Sequence, residues 1–449
     1  MDYKYADFGT SDLIRAVCHF DFTKVKHLVD RGVDLNERDS CRRTALIQAV
    51  RCCRSRNGNL TARVATNCAS YYSLENTLFL VGSGSDLDIR DVYGKTALMY
   101  AIQENIDNLE TIVETFVNNG VDLDVRDIRG RTVLMYAIIS NTHINIIELF
   151  IKHGASLDII DIYGYTALMH AVLNRYTEDA VEILVKHGAG LDIRNKIGST
   201  ALMLAVCKDK FVMTKILLGH GADPNVQDDD GKTLLMYVNC YRNSIMNLLL
   251  DSGSLINTQD SGGRTALMHA THYYKFGKAA KLITKGADLD MKDTDGRTAL
   301  MYTVLGKFVK IFHILIKNGA NLDIKDVFGN TALIYSITKN HFDMSKTLLI
   351  KGANPNACNM KGVSPLYLSV SKNHTDIIDV LLKIKANVHT TTEYEKKIFR
   401  SAPGDIKNKL LGSVRLENIA LVATRYIYPT ISGNAREVIR KIRYTVGEQ

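Results

Sequence analysis

One spacing in this chain never varies. Gly32, Gly84, Gly120, Gly154, Gly188, Gly221, Gly253, Gly286, Gly319 and Gly352 are each followed, after 12 residues, by Thr44, Thr96, Thr132, Thr166, Thr200, Thr233, Thr265, Thr298, Thr331 and Ser364 respectively. The complementary spacing, from each Thr or Ser (beginning with Ser11) to the glycine that closes its segment, runs from 20 to 40 residues. A segment of fixed length implies a rigid element held in register with its neighbours, and a variable one implies a connection free to bulge into solvent. The chain is therefore built from copies of one module, and its insertions all fall on one side of that module.

Residues 293–325, DTDGRTALMYTVLGKFVKIFHILIKNGANLDIK, show the module in its plain form. The fixed segment carries D-x-x-G (Asp91 to Gly94, Asp127 to Gly130, Asp161 to Gly164, Asp293 to Gly296, Asp326 to Gly329). Asp at the first position and Gly at the fourth mark a tight turn. The variable segment reads as two short helices. The first opens on the Thr as N-cap and buries positions of the Ala299 and Leu300 type. The second carries Val309, Phe312 and Ile316 at helical spacing and ends at Gly319 as a left-handed cap. Isolated helices shorter than roughly 12–15 residues are marginal in water, so each module must stack on the next, and the fold expected is an all-α solenoid stabilised by neighbour interfaces.

With period, turn and closing G-A-D/N in place, the chain resembles the ankyrin repeat family over residues 1–390, about eleven copies. The resemblance implies a stack of helix pairs with a β-hairpin finger projecting from each. Where the family has T-P-L-H this chain has T-A-L-M (Met99, Met169, Met203, Met268, Met301), and Pro survives only at Pro365. The Thr-to-His side-chain bond that the resemblance implies cannot form at those methionines, which are expected to fill the space as core with some loss of rigidity. The Ile-, Lys-, Asn- and Tyr-rich usage and near-identical repeats are similar to ankyrin expansions of large DNA viruses and intracellular bacteria.

The repeat frame divides the chain. Residues 1–36 form an N-terminal capping repeat with Ser11 in the Thr position and Asp12, Arg15 and Lys24 on its surface. Residues 37–389 hold the remaining repeats. The segment from Thr44 to Gly84 is 19 residues longer than the 21-residue spacing at Thr298. Its polar extra stretch, about residues 53–71, is expected to loop out between helices. The last repeat loses its glycine, with Lys385 in that place. Residues 390–449 are expected to form a helical cap or a small adaptor domain. Ala402-Pro403-Gly404-Asp405-Ile406 with Leu410-Leu411 is similar to the opening of the F-box-like domain that follows ankyrin repeats in poxviruses, although Ala402 stands where that family has Leu. This second resemblance implies a ubiquitin-ligase component as partner.

Composition narrows the function. No apolar run approaches the length of a membrane span, and the N-terminus lacks a basic region followed by an apolar one, so a cytoplasmic protein, in a host cell if the viral likeness holds, is expected. The 8 cysteines show no disulfide or zinc spacing. The net charge of +8, from 56 basic and 48 acidic residues, is concentrated at Arg51, Arg54, Arg56 and Arg63 and after Thr392, where 11 Lys/Arg face 6 Asp/Glu. Without interleaved aromatics this does not argue for nucleic acid. No phosphate loop, nucleophile elbow or H-E-x-x-H is present. His153 and His187 precede cap glycines, and Asp124, Asp158, Asp192, Asp290 and Asp323 follow the repeat frame, so these read as structural. No enzyme, cofactor or metal is expected.

The remaining function is binding of a partner protein through the finger tips and the concave face. Apolar residues at turn tips carry information because tips face solvent unless covered. Val92, Tyr93, Ile128, Ile162, Tyr163, Tyr165 and Ile197 span four successive fingers, and Val327 and Phe328 recur later. Asp229, Asp230, Ser261, Thr294 and Asp295 make the intervening tips polar. The alternative is that neighbouring fingers pack on one another through these side chains. Tyr241 and Tyr273 join the candidate surface from the first helix. A further stripe, Tyr100, Tyr136, His170, Tyr237, His269, Tyr302 and Tyr335, reads as half-buried packing with hydroxyls reaching solvent.

Overall fold

The computed structural model describes residues 11–52, 63–104, 106, 108–174, 177–238, 243–388 and 392–413. Among these residues the chain forms 24 helices that follow one another as twelve pairs. Among the described residues no helix is long and apolar enough to cross a membrane. The fold is all-α, as expected. The hairpin component is minor, since the fingers are tight turns with isolated bridges such as the antiparallel one between Gln259 and Thr265.

The pair Ala299–Leu305 and Val309–Lys317 shows why these residues make these elements. Thr298 sits in extended backbone, and its hydroxyl accepts the Met301 N–H at 3.4 Å, satisfying one of the orphan donors of the helix start. Thr132, Thr166, Thr200, Thr265, Thr331 and Ser364 do the same. Between the two helices the chain turns through a left-handed residue, Lys307 here and Asn141, Asn340 or Asn373 elsewhere. The second helix runs to Gly319, at φ 86. The ten closing glycines all lie between φ +75 and +94, with open space where a Cβ would stand. Backbone conformation, not crowding, selects glycine there. Lys385 adopts the same conformation at φ 61.

Burial corrects one reading of the second helix. Its buried stripe is Ile311, Phe312 and Leu315, while Val309 lies half in solvent at the helix start. Met99, Met169, Met203, Met268 and Met301 are all buried, so methionine fills the core position of the first helix.

Two compact units result, Met1–Asp229 with Tyr237–Ser254, and Asp230–Met236 with Leu255–Gln449. Within the first unit, the first helices Asp12–Cys18, Ala45–Cys52, Ala97–Glu104, Val133–Ile139, Ala167–Leu173 and Ala201–Cys207 pack in succession. Within the second, Ala266–His272, Ala299–Leu305, Ala332–Thr338, Pro365–Ser371 and Glu393–Ser401 do so. Neighbour packing of this kind lets helices of seven residues persist.

One expectation about an irregular segment changes. The insertion does not simply loop out, because residues 63–71 are helical and lengthen the second helix of that pair to the 20 residues Arg63–Gly82. Extending an existing helix adds one hydrogen bond per residue fixed, without a new nucleation cost. Residues 53–62 lie outside the described residues. At the other end, Thr392 caps Glu393–Ser401 by accepting the Glu395 N–H, and Gly404–Gly412 follows. Buried Glu395 accepts both the N–H and the hydroxyl of Ser364, at 3.0 and 2.7 Å. Lys409 pairs with Asp379 at 2.8 Å. A twelfth helix pair therefore lies against the last repeat, with Ala402, Ile406 and Leu410 all buried. Residues 414–449 lie outside the described residues.

Candidate partner-binding surface

Each finger is organised by the first residue of its turn. One carboxylate oxygen of Asp91 accepts the N–H groups of Tyr93 and Lys95, at 2.8 and 3.0 Å. Asp127, Asp161, Asp260, Asp293 and Asp326 repeat the arrangement, with Asn195 and Asn359 substituting. The turn is thus closed by its own side chain.

Three sets of bonds then tie each finger to the next. Backbone rungs run from the residue after the turn Asp to the preceding tip: Val92 N–H to Cys41 O, Ile128 to Tyr93, Ile162 to Arg129 and Lys196 to Tyr163 in the first unit, at 2.8–3.1 Å. In the second unit the rungs are Ser261 to Asp230, Thr294 to Gly262, Val327 to Asp295 and Met360 to Phe328. At the finger base the repeat aspartates accept a backbone N–H from the next repeat, as Asp124 does from Ser156, Asp158 from Gly190, Asp290 from Asn321 and Asp323 from Asn354. The residue before the turn Asp reaches the next finger's carbonyl: Arg126 to Ile160, Arg194 to Gln227, Gln259 to Lys292 and Lys325 to Cys358, at 2.6–2.7 Å. A one-residue slip would break all three sets, which is why the 12-residue spacing is fixed.

The stripe on the first helix is correspondingly not solvent-directed. The second carboxylate oxygen of each turn Asp takes the side chain nine residues on: Tyr100 on Asp91 at 2.6 Å, Tyr136 on Asp127 at 2.7 Å, His170 on Asp161 at 3.0 Å, His269 on Asp260 at 2.7 Å, Tyr302 on Asp293 at 2.6 Å, and Tyr335 on Asp326. Tyr237 pairs with Asp228 likewise. These bonds anchor finger to helix in repeats where methionine, or Ile334 before Tyr335, forgoes the Thr-to-His bond. Burial, then the bond to Asp293, pushes the Tyr302 phenol up to about 12, and Tyr100 and Tyr136 move the same way for the same reasons. Burial acts to raise the Asp127 carboxyl, but the Arg131 N–H, Tyr136 hydroxyl and Arg131 guanidinium outweigh it and hold it below its ordinary value. Burial lowers His170 and His269 despite their carboxylate partners, so both are neutral donors near pH 7. His153 and His187 each bond the carbonyl four residues back at 2.9 Å.

With register carried by backbone and turn residues, the tip side chains are left in solvent. Val92, Tyr93, Ile128, Ile162, Tyr163, Ile197, Val327 and Phe328 are between 42% and 63% exposed. The first six sit on four fingers joined by consecutive rungs in the first unit. Val327 and Phe328 belong to the second unit, where exposed Met360 extends them, a residue detectable in sequence from its place in N-x-x-G. Tyr165 is not a tip residue: it is half-buried, with its ring 5.6 Å from His170. Tyr273 is exposed but closes the helix Ala266–His272 at the end remote from its finger, roughly 10 Å away at 1.5 Å per residue, and stacks with His269. Tyr241 lies outside the described residues.

Behind the first-unit strip, cations alternate with rings. Lys95 stands 5.2 Å from the rings of both Tyr100 and Tyr136, Arg131 4.7 Å from Tyr136, and Arg51 5.3 Å from Tyr100. Such contacts fix the long side chains and give this side of the strip a positive character. Burial, followed by the Arg131 charge, lowers Lys95.

A family model for ankyrin repeats (3 copies) matches the chain in overlapping stretches, residues 13–127, 65–161, 104–196, 141–228, 177–260, 202–293, 273–359 and 328–393. No curated protein matches it. Among solved structures, the chain is similar to the ankyrin repeat domain of Bcl-3, described as a unique member of the IkappaB protein family. The identity is 29% and the TM-score 0.45, over 49% of this chain and 98% of that one.

Proposed function

The chain belongs to the ankyrin repeat family, and from that premise we propose that it is a non-enzymatic scaffold holding a partner protein on the finger tips of its first unit. The observation that carries this reading is the division of labour within the fingers. Backbone rungs join them, so the apolar side chains at positions 92, 93, 128, 162, 163 and 197 are not consumed by finger-to-finger packing. A row of exposed aliphatic and aromatic groups, bounded by the polar Asp229, has the composition of an interface core with aromatic anchors. Val327, Phe328 and Met360 offer a second, smaller contact group. The 8 cysteines follow no disulfide spacing, which supports a reducing compartment such as the cytoplasm. The ubiquitin-ligase alternative would use Ala402, Ile406 and Leu410, and their burial favours the scaffold reading over the adaptor.

Affinity capture with the full chain tests this. The triple variant Tyr93→Ser, Tyr163→Ser, Ile197→Ser should lose the captured protein while keeping its helix content. Undiminished capture by that variant would overturn the assignment.

A further inference from the structure

In the fingers that follow Gly94, the fourth turn position is glycine at positive φ, and at Gly94, Gly164 and Gly296 an added Cβ would come within 2.7–2.9 Å of the next finger's backbone. The finger at residues 39–43 departs from this. Arg42 holds the position at φ 59, a conformation that long side chains rarely adopt. Strain retained against an available glycine points to a use for the side chain.

Arg42 lines an open groove of about 440 Å³ together with Arg38 and Arg90, with Val92 and Ile128 on its apolar side. The side chains of Arg38 and Arg42 have no hydrogen-bond or ion-pair partner among the described residues. Arg90 uses one nitrogen on the Arg126 carbonyl at 3.3 Å. Carboxylates border the groove, but they are directed to backbone, to a phenol or, for Asp91, also to Arg43 at 3.8 Å. Asp91 holds Tyr93, Lys95 and Tyr100, Asp88 accepts the Asp122 N–H, and Asp86 accepts the Asp88 N–H. Three guanidiniums thus line the groove beside two residues of the apolar strip, and none of the carboxylates that share the lining forms an ion pair with them.

We infer that this groove takes an oxyanion on the partner, a carboxylate or a phosphorylated side chain, presented by an apolar segment lying across Val92 and Ile128. Guanidinium forks match both anions. Asp86 and Asp88 repel a free dianion, so the anion binds when its apolar neighbours contribute and inorganic phosphate alone binds poorly. The inference deepens the finger-tip reading and rests on it.

Fluorescence anisotropy on the full chain tests it with three fluorescein-labelled peptides, Ala-Leu-Phe-Xaa-Leu-Ala, in which Xaa is Glu, phosphoserine or Gln. At least one anionic peptide should bind about tenfold or more tightly than the Gln peptide, the range of a charge-assisted bond, and the tighter of the two identifies the anion. Arg42→Gly should erase that discrimination while raising the melting temperature, because glycine relieves the turn. Arg38→Ala with Arg90→Ala should erase it without that gain. Equal binding of the three peptides, or discrimination that survives Arg42→Gly, overturns the groove. If the equal binding disappears in the Tyr93→Ser, Tyr163→Ser, Ile197→Ser variant, the finger-tip reading stands without the groove. Absence of binding by any peptide overturns the groove, and partner capture then decides the finger-tip reading independently.

Discussion

The finger edge of a repeat and the edge where its two helices meet are joined to their neighbours by different means. Fingers are linked by backbone rungs and by Asp, Asn, Arg and Gln side chains bonded to backbone. At the inter-helix edge the links are side-chain contacts, such as the Asn174 amide on the Ile138 carbonyl, Tyr274 against Phe308 at 5.1 Å and Phe342 against His374 at 4.9 Å. Side-chain contacts tolerate a change of loop length because no backbone register depends on them. The two edges therefore vary in opposite senses. The inter-helix edge varies in length, as the segment from Thr44 to Gly84 shows, while the finger edge holds its length and varies in tip side chains, from Ile162-Tyr163 to Asp229-Asp230.

Inserting one Gly on either edge is the harshest test of that difference. Placed after Asp295, it should break the Thr294 and Val327 rungs and the Asp293 turn, costing about 3 kcal/mol or more at roughly 1 kcal/mol per bond. Placed after Gly306, it should cost less than about 1 kcal/mol, because loop-closure entropy grows slowly with length. Urea unfolding followed by circular dichroism measures both, and equal costs would remove the distinction.

Acid should weaken the finger edge selectively at two repeats. Burial holds His170 and His269 below their ordinary range, so the folded chain binds fewer protons than the unfolded one. Their contribution is fully present above about pH 6.5, the unfolded value, and is lost as pH falls below it. The double variant His170→Tyr, His269→Tyr meets the same aspartates as Tyr302 meets Asp293, and its melting temperature should change less between pH 7.5 and 5.5. It should not become flat, because His341 and His374 on the inter-helix edge are also lowered by burial. An unchanged slope would place the pH sensitivity elsewhere.

The smallest effect is a gain. Lys385 stands at φ 61 where ten repeats place glycine, and Lys385→Gly should stabilise the chain by about 1 kcal/mol, near the cost of that conformation for a residue with a Cβ. Thermal unfolding would register it, and a loss of stability would mean that the lysine side chain bonds at that site.

Much of this was legible in the residues. Fixed and variable spacings located turn, caps and helices, and the T-A-L-M frame placed the methionines in the core, because backbone conformation and burial leave periodic marks. What escaped was pairing across elements. Tyr302 falls nine residues after Asp293, and the same interval recurs from Tyr100 to Tyr335, yet a phenol at a half-buried position reads equally well as packing until its partner is seen. The restart at Thr392 carried its own mark, T-x-x-E, hidden by the loss of the usual turn. Arg42 could be seen to replace a glycine, but not that Arg38 and Arg90 line one groove with it, since that depends on how adjacent fingers align.

Hydrogen exchange at the backbone amides of Ile128, Ile162, Val327 and Met360 tests the finger-edge assignment most directly. Slow exchange, at positions whose side chains stand largely in solvent, is the expected result and would show that backbone rungs, not tip side chains, hold the fingers together. Exchange at the rate of an unstructured peptide would contradict those rungs, and the tip side chains would then be needed for packing and not free for a partner.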